Sequence, residues 1–150
     1  MNLNRYPKKM KSSVFVLVEG SEPRDKIVEV AKELINRHRM PQDSSEGRFD
    51  YLVAPFETTF EDQAAEYMLP ESERRAYKGL IARVAEIGVE IIPSSLVTPD
   101  GTWHDLSDFG WRMVGAKSEN KLAISHWEDR CRSLLAEHPD CLALEFCAHS

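Results

Sequence analysis

The feature that most limits the fold of this chain is a run of five apolar residues near its start, Val14 to Val18. The run contains three valines and a phenylalanine, and it is followed by Glu19 and Gly20. A strand that is apolar at every position, rather than at alternate positions, is typical of a strand buried on both faces of a sheet. The sequence therefore predicts a domain built around a sheet, with this segment as a central strand.

Apolar residues at helical spacing follow this strand and occur again later in the chain. Each pattern begins at a capping residue or a proline and continues with the 3.6-residue repeat of an amphipathic helix. The predicted helices run from Ser21 to about His38, from Thr59 to Leu69, from Pro70 to Ile87, and from Asn120 to His138.

Further strand signals lie between and after these helices. Short apolar runs bounded by turn-forming residues predict strands at Phe49–Ala54, Val89–Ile92 and Cys141–Cys147. The sequence Pro99-Asp100-Gly101 predicts a β-hairpin over residues 96–104, because proline presets the turn and glycine tolerates a positive φ. The order of elements favours an α+β fold, with helices packed on one face of a mixed sheet in a ferredoxin-like or related sandwich.

The length of 150 residues fits one domain. Residues 1–12 hold four basic and no acidic residues and lack periodicity, so we expect a flexible basic segment ahead of a single domain over residues 13–150. No apolar run approaches the roughly 20 residues that cross a bilayer, and no cleavage site marks a signal peptide. Three cysteines without CxxC spacing favour a reducing compartment, so we expect the protein to be cytoplasmic.

Charge limits the partners that this chain can bind. The net charge is −6, and removing the four basic residues of the first eleven positions leaves 15 basic against 25 acidic residues, or −10. Nucleic acid is an unlikely partner, because affinity for it depends on Lys and Arg that neutralise phosphates. An acidic surface increases solubility or binds a basic surface of another protein. Another protein is therefore the predicted partner, a membrane is not, and homo-oligomerisation stays open.

Candidate catalytic residues cluster on the last predicted strand. Glu145, Cys147 and His149 alternate with apolar residues, so they are expected to project from one face. A carboxylate there is costly to bury unless it is paired or its pKa rises. The favoured alternative is that Glu145 meets an edge or an arginine, Cys147 is a small hydrophobe and His149 lies at the end of the strand. His104 is the fourth candidate.

Metal and cofactor binding receive little support from the sequence. Zinc accepts Cys and His ligands, and His104, Cys147 and His149 are the residues that would supply them, but the usual spacings of zinc ligands are absent. No GxGxxG, GxxxxGK[ST], GxSxG or HExxH motif is present. We therefore predict neither a metal nor a cofactor.

A second candidate region follows the hairpin. Trp103, Trp111 and Arg112 could bind a phosphate or a planar group, with arginine holding the anion and tryptophan stacking on the ring. In the favoured alternative both tryptophans fill the core and His104 is solvated.

A resemblance covers about the last 55 residues. It rests on Leu96 to His104 (LVTPDGTWH), Gly110-Trp111, Trp127, His138 to Ala143 (HPDCLA), Cys147 and His149. This pattern resembles a family of small uncharacterised proteins encoded by bacteria and phages, and the resemblance implies a phage or mobile-element context.

Two functions remain open from the sequence. The first is a protein-binding or regulatory protein, for example one that acts on a host or defence protein, and it predicts an exposed apolar patch rimmed by acids. The alternative is a small enzyme or ligand- or metal-binding domain, with a pocket between the hairpin and the last strand.

Overall fold

The computed structural model describes residues 11–40, 47–49, 51–52, 81–112 and 114–149. Within these ranges lie six strands and two helices. The strands are β1 (Lys11–Val18), β2 (Tyr51–Leu52), β3 (Ile81–Arg83), β4 (Ser95–Val97), β5 (Trp103–Asp105) and β6 (Leu142–His149). The helices are α1 (Ile27–Asn36) and α2 (Lys117–Glu137), and short 3-10 turns occupy Arg24–Lys26, Val84–Glu86 and Leu106–Phe109.

The strands form one mixed sheet in the order β2-β6-β1-β4-β5, and β3 also pairs with β6. β1 lies between β6 and β4, as predicted for a central strand. It pairs with β6 in antiparallel fashion from Lys11 opposite His149 to Val18 opposite Leu142, and it is parallel to β4. β4 and β5 form the predicted hairpin. The α+β class with a mixed sheet is therefore confirmed, whereas a ferredoxin-like arrangement is not confirmed.

The two described helices cover opposite faces of the sheet rather than one face. Val14, Val16 and Val18 of β1 belong to a core cluster with α1. Phe15 and Leu17 belong to a second cluster with α2. Side chains alternate across a strand, so a strand that is apolar at every position needs cover on both faces. We call these the α1 face and the α2 face.

Both helices lie close to their predicted positions. α1 buries Ile27, Val28, Ala31, Leu34 and Ile35, which recur at the spacing of one helical stripe. It begins at Ile27, after the 3-10 turn, rather than at Ser21. α2 begins at Lys117, three residues before the predicted start, and ends at Glu137, before the proline that cannot continue it. Among the described residues, no helix has the length and apolar character needed to cross a membrane.

The chain between β3 and β4 departs from the prediction. Ile81–Arg83 was expected inside a helix but pairs with β6 as a strand. Val89–Ile92 was expected as a strand, but the chain turns there, and the Ile91 N–H donates to the Gly88 carbonyl at 3.0 Å. A short apolar run is compatible with either a helix or a strand. Ile81–Arg83 forms a strand because the edge of β6 is available to pair with it.

Other predictions end at the limits of the described residues. Four predicted elements lie wholly or partly outside the described residues. They are the helix over 59–69, most of the helix that begins at Pro70, residues 53–54 of the second predicted strand and residues 1–10 of the predicted flexible segment. β1 already begins at Lys11, within that predicted segment. Of the second predicted strand the structure describes residues 49 and 51–52: Tyr51 and Leu52 pair with β6, and Phe49 forms an isolated bridge with Arg39.

Candidate functional site

The hairpin turn is held by a compact set of hydrogen bonds. Asp100 accepts from the Thr98 hydroxyl at 2.5 Å and from the Thr102 N–H at 3.0 Å. The Thr98 hydrogen bond is the main reason why the pKa of Asp100 lies below its usual value. Gly101 adopts φ +88, which favours glycine, and its carbonyl lies 2.7 Å from His38 Nε2. The turn is therefore fixed to the end of α1.

Trp103 is a core residue of the α1 face. Its indole N–H donates to the Asp105 carboxylate at 2.9 Å. Its ring stacks on Phe49 at a centroid distance of 6.2 Å, and the His38 ring lies tilted at 5.3 Å. This placement matches the alternative in which Trp103 packs rather than binds a ligand.

His104 projects from the opposite face of β5. It lies directly across from Leu96, a residue of the α2-face cluster, and its Nε2 is 3.4 Å from the Thr98 hydroxyl. Burial lowers the pKa of His104 below its usual value, because desolvation disfavours the charged ring.

Trp111 and Arg112 follow the 3-10 turn after β5. The backbone of Arg112 is anchored to α2, because its N–H donates to the Asn120 side chain at 3.0 Å and its carbonyl accepts from the Asn120 amide at 2.6 Å. Arg112 is exposed and Trp111 is partly buried. The structure therefore separates these residues from Trp103, which lies in the α1-face core.

The last strand places its three candidates on one face, as predicted. Glu145, Cys147 and His149 lie opposite Phe15, Ser13 and Lys11 of β1, respectively. The half-buried Glu145 carboxylate accepts a hydrogen bond from the Ser13 hydroxyl at 2.6 Å. Burial raises the pKa of Glu145 above its usual value, and the Ser13 hydrogen bond opposes that shift only in part.

Small polar residues continue this site across the sheet. The Ser94 N–H donates to the Ser13 carbonyl at 3.0 Å, so Ser94, Ser13 and Cys147 are neighbours on three adjacent chain segments. We call Ser94, Ser13, Cys147 and Glu145 the polar row. Neither serine was predicted as a site residue, although a serine at the start of an apolar strand could have indicated them.

His104 does not converge with the polar row. Cross-strand pairs join His104 and Glu145 in one row across the sheet. His104 lies opposite Leu96, Leu96 lies opposite Phe15, and Phe15 lies opposite Glu145. Three strand spacings separate His104 from Glu145, about 14 Å. Leu96 and Phe15 fill the space between them and are buried. The predicted pocket between the hairpin and the last strand is therefore occupied by core side chains.

Metal-binding geometry is not found in the part of the chain that the structure describes. No group of three or more His, Cys, Asp or Glu side chains there is arranged to hold a metal ion. Cys131, Cys141 and Cys147 form no disulfide bond. Burial raises the pKa of the Cys131 thiol to about 12 and that of the Cys141 thiol to about 11, so neither thiol supplies a thiolate near neutral pH.

A cavity of about 190 Å³ opens beside the C-terminal half of α2. We call it the apolar cleft. One wall is residues 84–92, and the other is Arg132 and residues 135–139, of which Leu135, Ala136 and Pro139 line the cavity. Val89 and Ile91 stand at the cleft with 73% and 43% of their surfaces exposed. This cleft was not predicted from the sequence, because Val89–Ile92 was expected to form a strand.

Arg132 of α2 connects the helix to the wall of the cleft that residues 84–92 form. Its Nε donates to the Val89 carbonyl at 3.1 Å, and its Nη1 lies 3.6 Å from the Asp129 carboxylate. The exposed Glu90 carboxylate folds over Gly88. The exposed turn is therefore fixed in position, with its apolar side chains presented outwards.

An acidic cavity of about 430 Å³ adjoins the apolar cleft and shares Ala85 and Pro139 with it. Its lining includes three acidic residues, Glu22, Glu86 and Asp140. Arg83 also lines this cavity and lies 3.9 Å from Glu86. In the described part of the molecule, the apolar cleft therefore lies next to a cavity lined by acidic residues.

No protein family, curated protein or solved structure matches this chain in sequence or fold comparisons.

Proposed function

We propose that this chain is a protein-binding or regulatory protein, and that the apolar cleft receives an apolar side chain of its partner. The observation that carries the proposal is the pair Val89 and Ile91, exposed beside an apolar cavity of about 190 Å³. Contiguous exposed apolar surface next to carboxylates is typical of protein interaction sites. Cavities of about 150 Å³ accept benzene, so one large side chain fits here.

Burial of the exposed pair contributes part of the binding free energy of a complex. Full burial of a valine or isoleucine side chain stabilises a complex by about 1.5–3 kcal/mol before the costs of association. The fixed position of the turn, held by Arg132, reduces the ordering cost on this side of the interface. Val89 and Ile91 together thus contribute at most about 3–6 kcal/mol, and further contacts of the partner must offset the remaining cost of association.

The location and context are part of the same proposal. The three cysteines form no disulfide, which supports a reducing, cytoplasmic setting. A phage or mobile-element origin, and a host or defence protein as the partner, rest on the sequence resemblance alone.

The enzyme alternative has less support. Its pocket is filled by Leu96 and Phe15, and His104 lies about 14 Å from Glu145 by strand spacing. The hydrogen bond between Ser13 and Glu145 is accounted for by the need to satisfy a half-buried carboxylate.

The test is a peptide-display selection on the immobilised full chain, followed by affinity measurement with the enriched peptides. Val89→Glu places a charge at the cleft, whereas Val114→Glu places the same charge at a valine that is 88% exposed and does not line the cleft. We expect at least about tenfold weaker binding for Val89→Glu, since about 1.4 kcal/mol corresponds to a factor of ten. Unchanged binding by Val89→Glu would contradict the proposal.

A further inference from the structure

We infer that the partner is a basic, apolar segment of another protein, in which a lysine or arginine follows or precedes the apolar anchor by two or three residues. The anchor enters the apolar cleft, and the cation lies in the acidic cavity beside it. The inference rests on the proposed function, because it names the chemical class of the partner. It is carried by the wall that the two cavities share and by the charge of the second cavity.

The two cavities meet where the turn after β3 packs against the start of β6. Ala85 and Pro139 line both cavities, and both residues are exposed. The Val84 N–H donates to the Cys141 carbonyl at 2.9 Å, which ties this turn to the chain that follows Pro139. One partner segment can therefore contact both cavities without crossing another element of the described fold.

The sizes of the cavities set the spacing between anchor and cation. Touching spheres of about 190 and 430 Å³ have centres about 8 Å apart, and an extended chain covers this distance in two to three residues at about 3.3 Å per residue. The long, flexible side chain of a lysine or arginine adapts to the remaining difference. A cation much further along the segment would lie outside the acidic cavity.

The lining of the acidic cavity carries more negative than positive charge. It includes three acidic residues, Glu22, Glu86 and Asp140, and one basic residue, Arg83, which lies 3.9 Å from Glu86. One positive charge against three negative leaves a charge of −2. A partner that brings one or two cations to this cavity therefore offsets the excess.

A fourth acidic residue extends this negative region at the same end of the sheet. The pairing of Val18 with Leu142 brings the end of β1 beside the start of β6. The Glu19 carboxylate lies 4.0 Å from Cys141 Sγ. Burial raises the pKa of the Cys141 thiol to about 11, and the negative charges of Glu19 and Asp140 raise it further in the same direction. Acidic residues from distant parts of the sequence thus meet next to the apolar cleft.

Other occupants fit this surface less well. Nucleic acids and anionic membranes present phosphates, which the acidic cavity repels. A second copy of this chain in a two-fold contact would bring the same acidic surface against itself. A purely apolar segment would remove water from the acidic residues without supplying a counter-charge, which is costly. A basic and apolar segment satisfies both cavities.

The test uses the display-selected peptides on the immobilised full chain. We expect these peptides to carry lysine or arginine two or three positions from their apolar anchor. Glu22→Gln combined with Asp140→Asn should weaken their binding at least about fivefold, because two charge pairs are lost. Glu29→Gln combined with Glu119→Gln removes the same charge from exposed positions that line neither cavity, and should leave the affinity unchanged.

An exchange of charges tests direct pairing between the peptide cation and the acidic cavity. Glu22→Lys combined with Asp140→Lys should weaken binding of a selected peptide at least about tenfold. The same peptide with its lysine or arginine replaced by glutamate should then bind this variant at least about fivefold more tightly than the original peptide does. A general loss of structure would weaken both peptides, and thermal unfolding of each variant measures it separately.

Three results would overturn the inference. They are selected peptides without a cation near the anchor, an affinity that the neutralised pair Glu22→Gln and Asp140→Asn leaves unchanged, and an equal loss of affinity in the control pair.

The two proposals fail in different ways. Peptides that lose binding in Val89→Glu but not in the neutralised pair would retain the proposed function and overturn the inference. Basic peptides that respond to the neutralised pair but not to Val89→Glu would overturn the assignment of the apolar cleft, and with it the pairing of an anchor with a cation.

Discussion

Among the described residues, the two faces of the sheet differ in how completely their helices cover them. α1 buries five of its ten residues, and its cluster continues through Trp103 and Phe49 to the end of β6. α2 also buries five residues but is 21 residues long, so most of its surface is exposed. The apolar cleft lies beside α2, and the polar row lies on the same face of the sheet. The comparison indicates that the α1 face serves mainly stability, whereas the α2 face has surface left for binding.

The largest effect should come from the core of the α2 face. Trp127 is fully buried and its indole N–H donates to the Pro93 carbonyl at 2.8 Å. Trp127→Ala should cost about 3–5 kcal/mol of unfolding free energy, measured by denaturant titration, because it leaves a cavity and an unpaired carbonyl. Trp103→Ala on the α1 face should cost a similar amount. A loss below about 1 kcal/mol for Trp127→Ala would show that the α2 face lacks a stabilising core.

The next effect separates binding from stability on the α2 face. Ile91→Glu should weaken peptide binding about tenfold while changing unfolding free energy by less than about 0.5 kcal/mol, since exposed positions away from cores tolerate substitution. Fluorescence anisotropy and denaturant titration measure the two quantities on the same sample. Equal losses of binding and stability would mean that Ile91 belongs to the core rather than to a binding surface.

A smaller effect is expected at the hairpin turn that closes the α1 face. Gly101 has φ +88, which costs a residue with a side chain about 1–2 kcal/mol. Gly101→Ala should therefore destabilise the fold by about 1 kcal/mol and leave peptide binding at the cleft unchanged. Thermal unfolding measures the first and anisotropy the second. Weakened peptide binding would show that the two faces are coupled.

The smallest effect is a pH dependence in the polar row. Because burial raises the pKa of Glu145, the folded state holds this proton to higher pH than the unfolded chain does. This contribution is most favourable below the usual carboxyl pKa and is lost as pH rises through the raised value. Glu145→Gln keeps an acceptor for Ser13, so it should gain melting temperature relative to the parent as pH rises from 4 to 8. The exposed Glu33→Gln is the control, and equal pH profiles would contradict the assignment.

The sequence predicted those elements whose signals are local. β1, α1, α2, β6 and the hairpin each have their own periodicity or turn residues, and they form close to the expected positions. Because β1 is apolar on both faces, both faces of the sheet need cover. The predicted packing of helices on one face did not meet this requirement. The shared face of Glu145, Cys147 and His149 also followed from strand alternation alone.

The rest depends on contacts between distant parts of the chain. Ile81–Arg83 becomes a strand only because β6 offers it an edge. The apolar cleft exists because residues 88–91 turn instead of extending, which leaves Val89 exposed. The polar row depends on Ser94 meeting Ser13 in a parallel pairing. Local spacing does not determine the register between distant segments, so the apolar cleft and the pairing of Ser94 with Ser13 were not predictable, although the shared face of Glu145 and Cys147 was.

The most direct test of the binding surface is methyl NMR on the full chain with a display-selected peptide. The account predicts shift changes concentrated on Val84, Val89 and Ile91, with little change at Leu122, which is 59% exposed near the other end of α2. Changes concentrated at Leu122 and Val114, with the cleft methyl groups unaffected, would contradict the assignment of the apolar cleft as the site where this protein binds its partner.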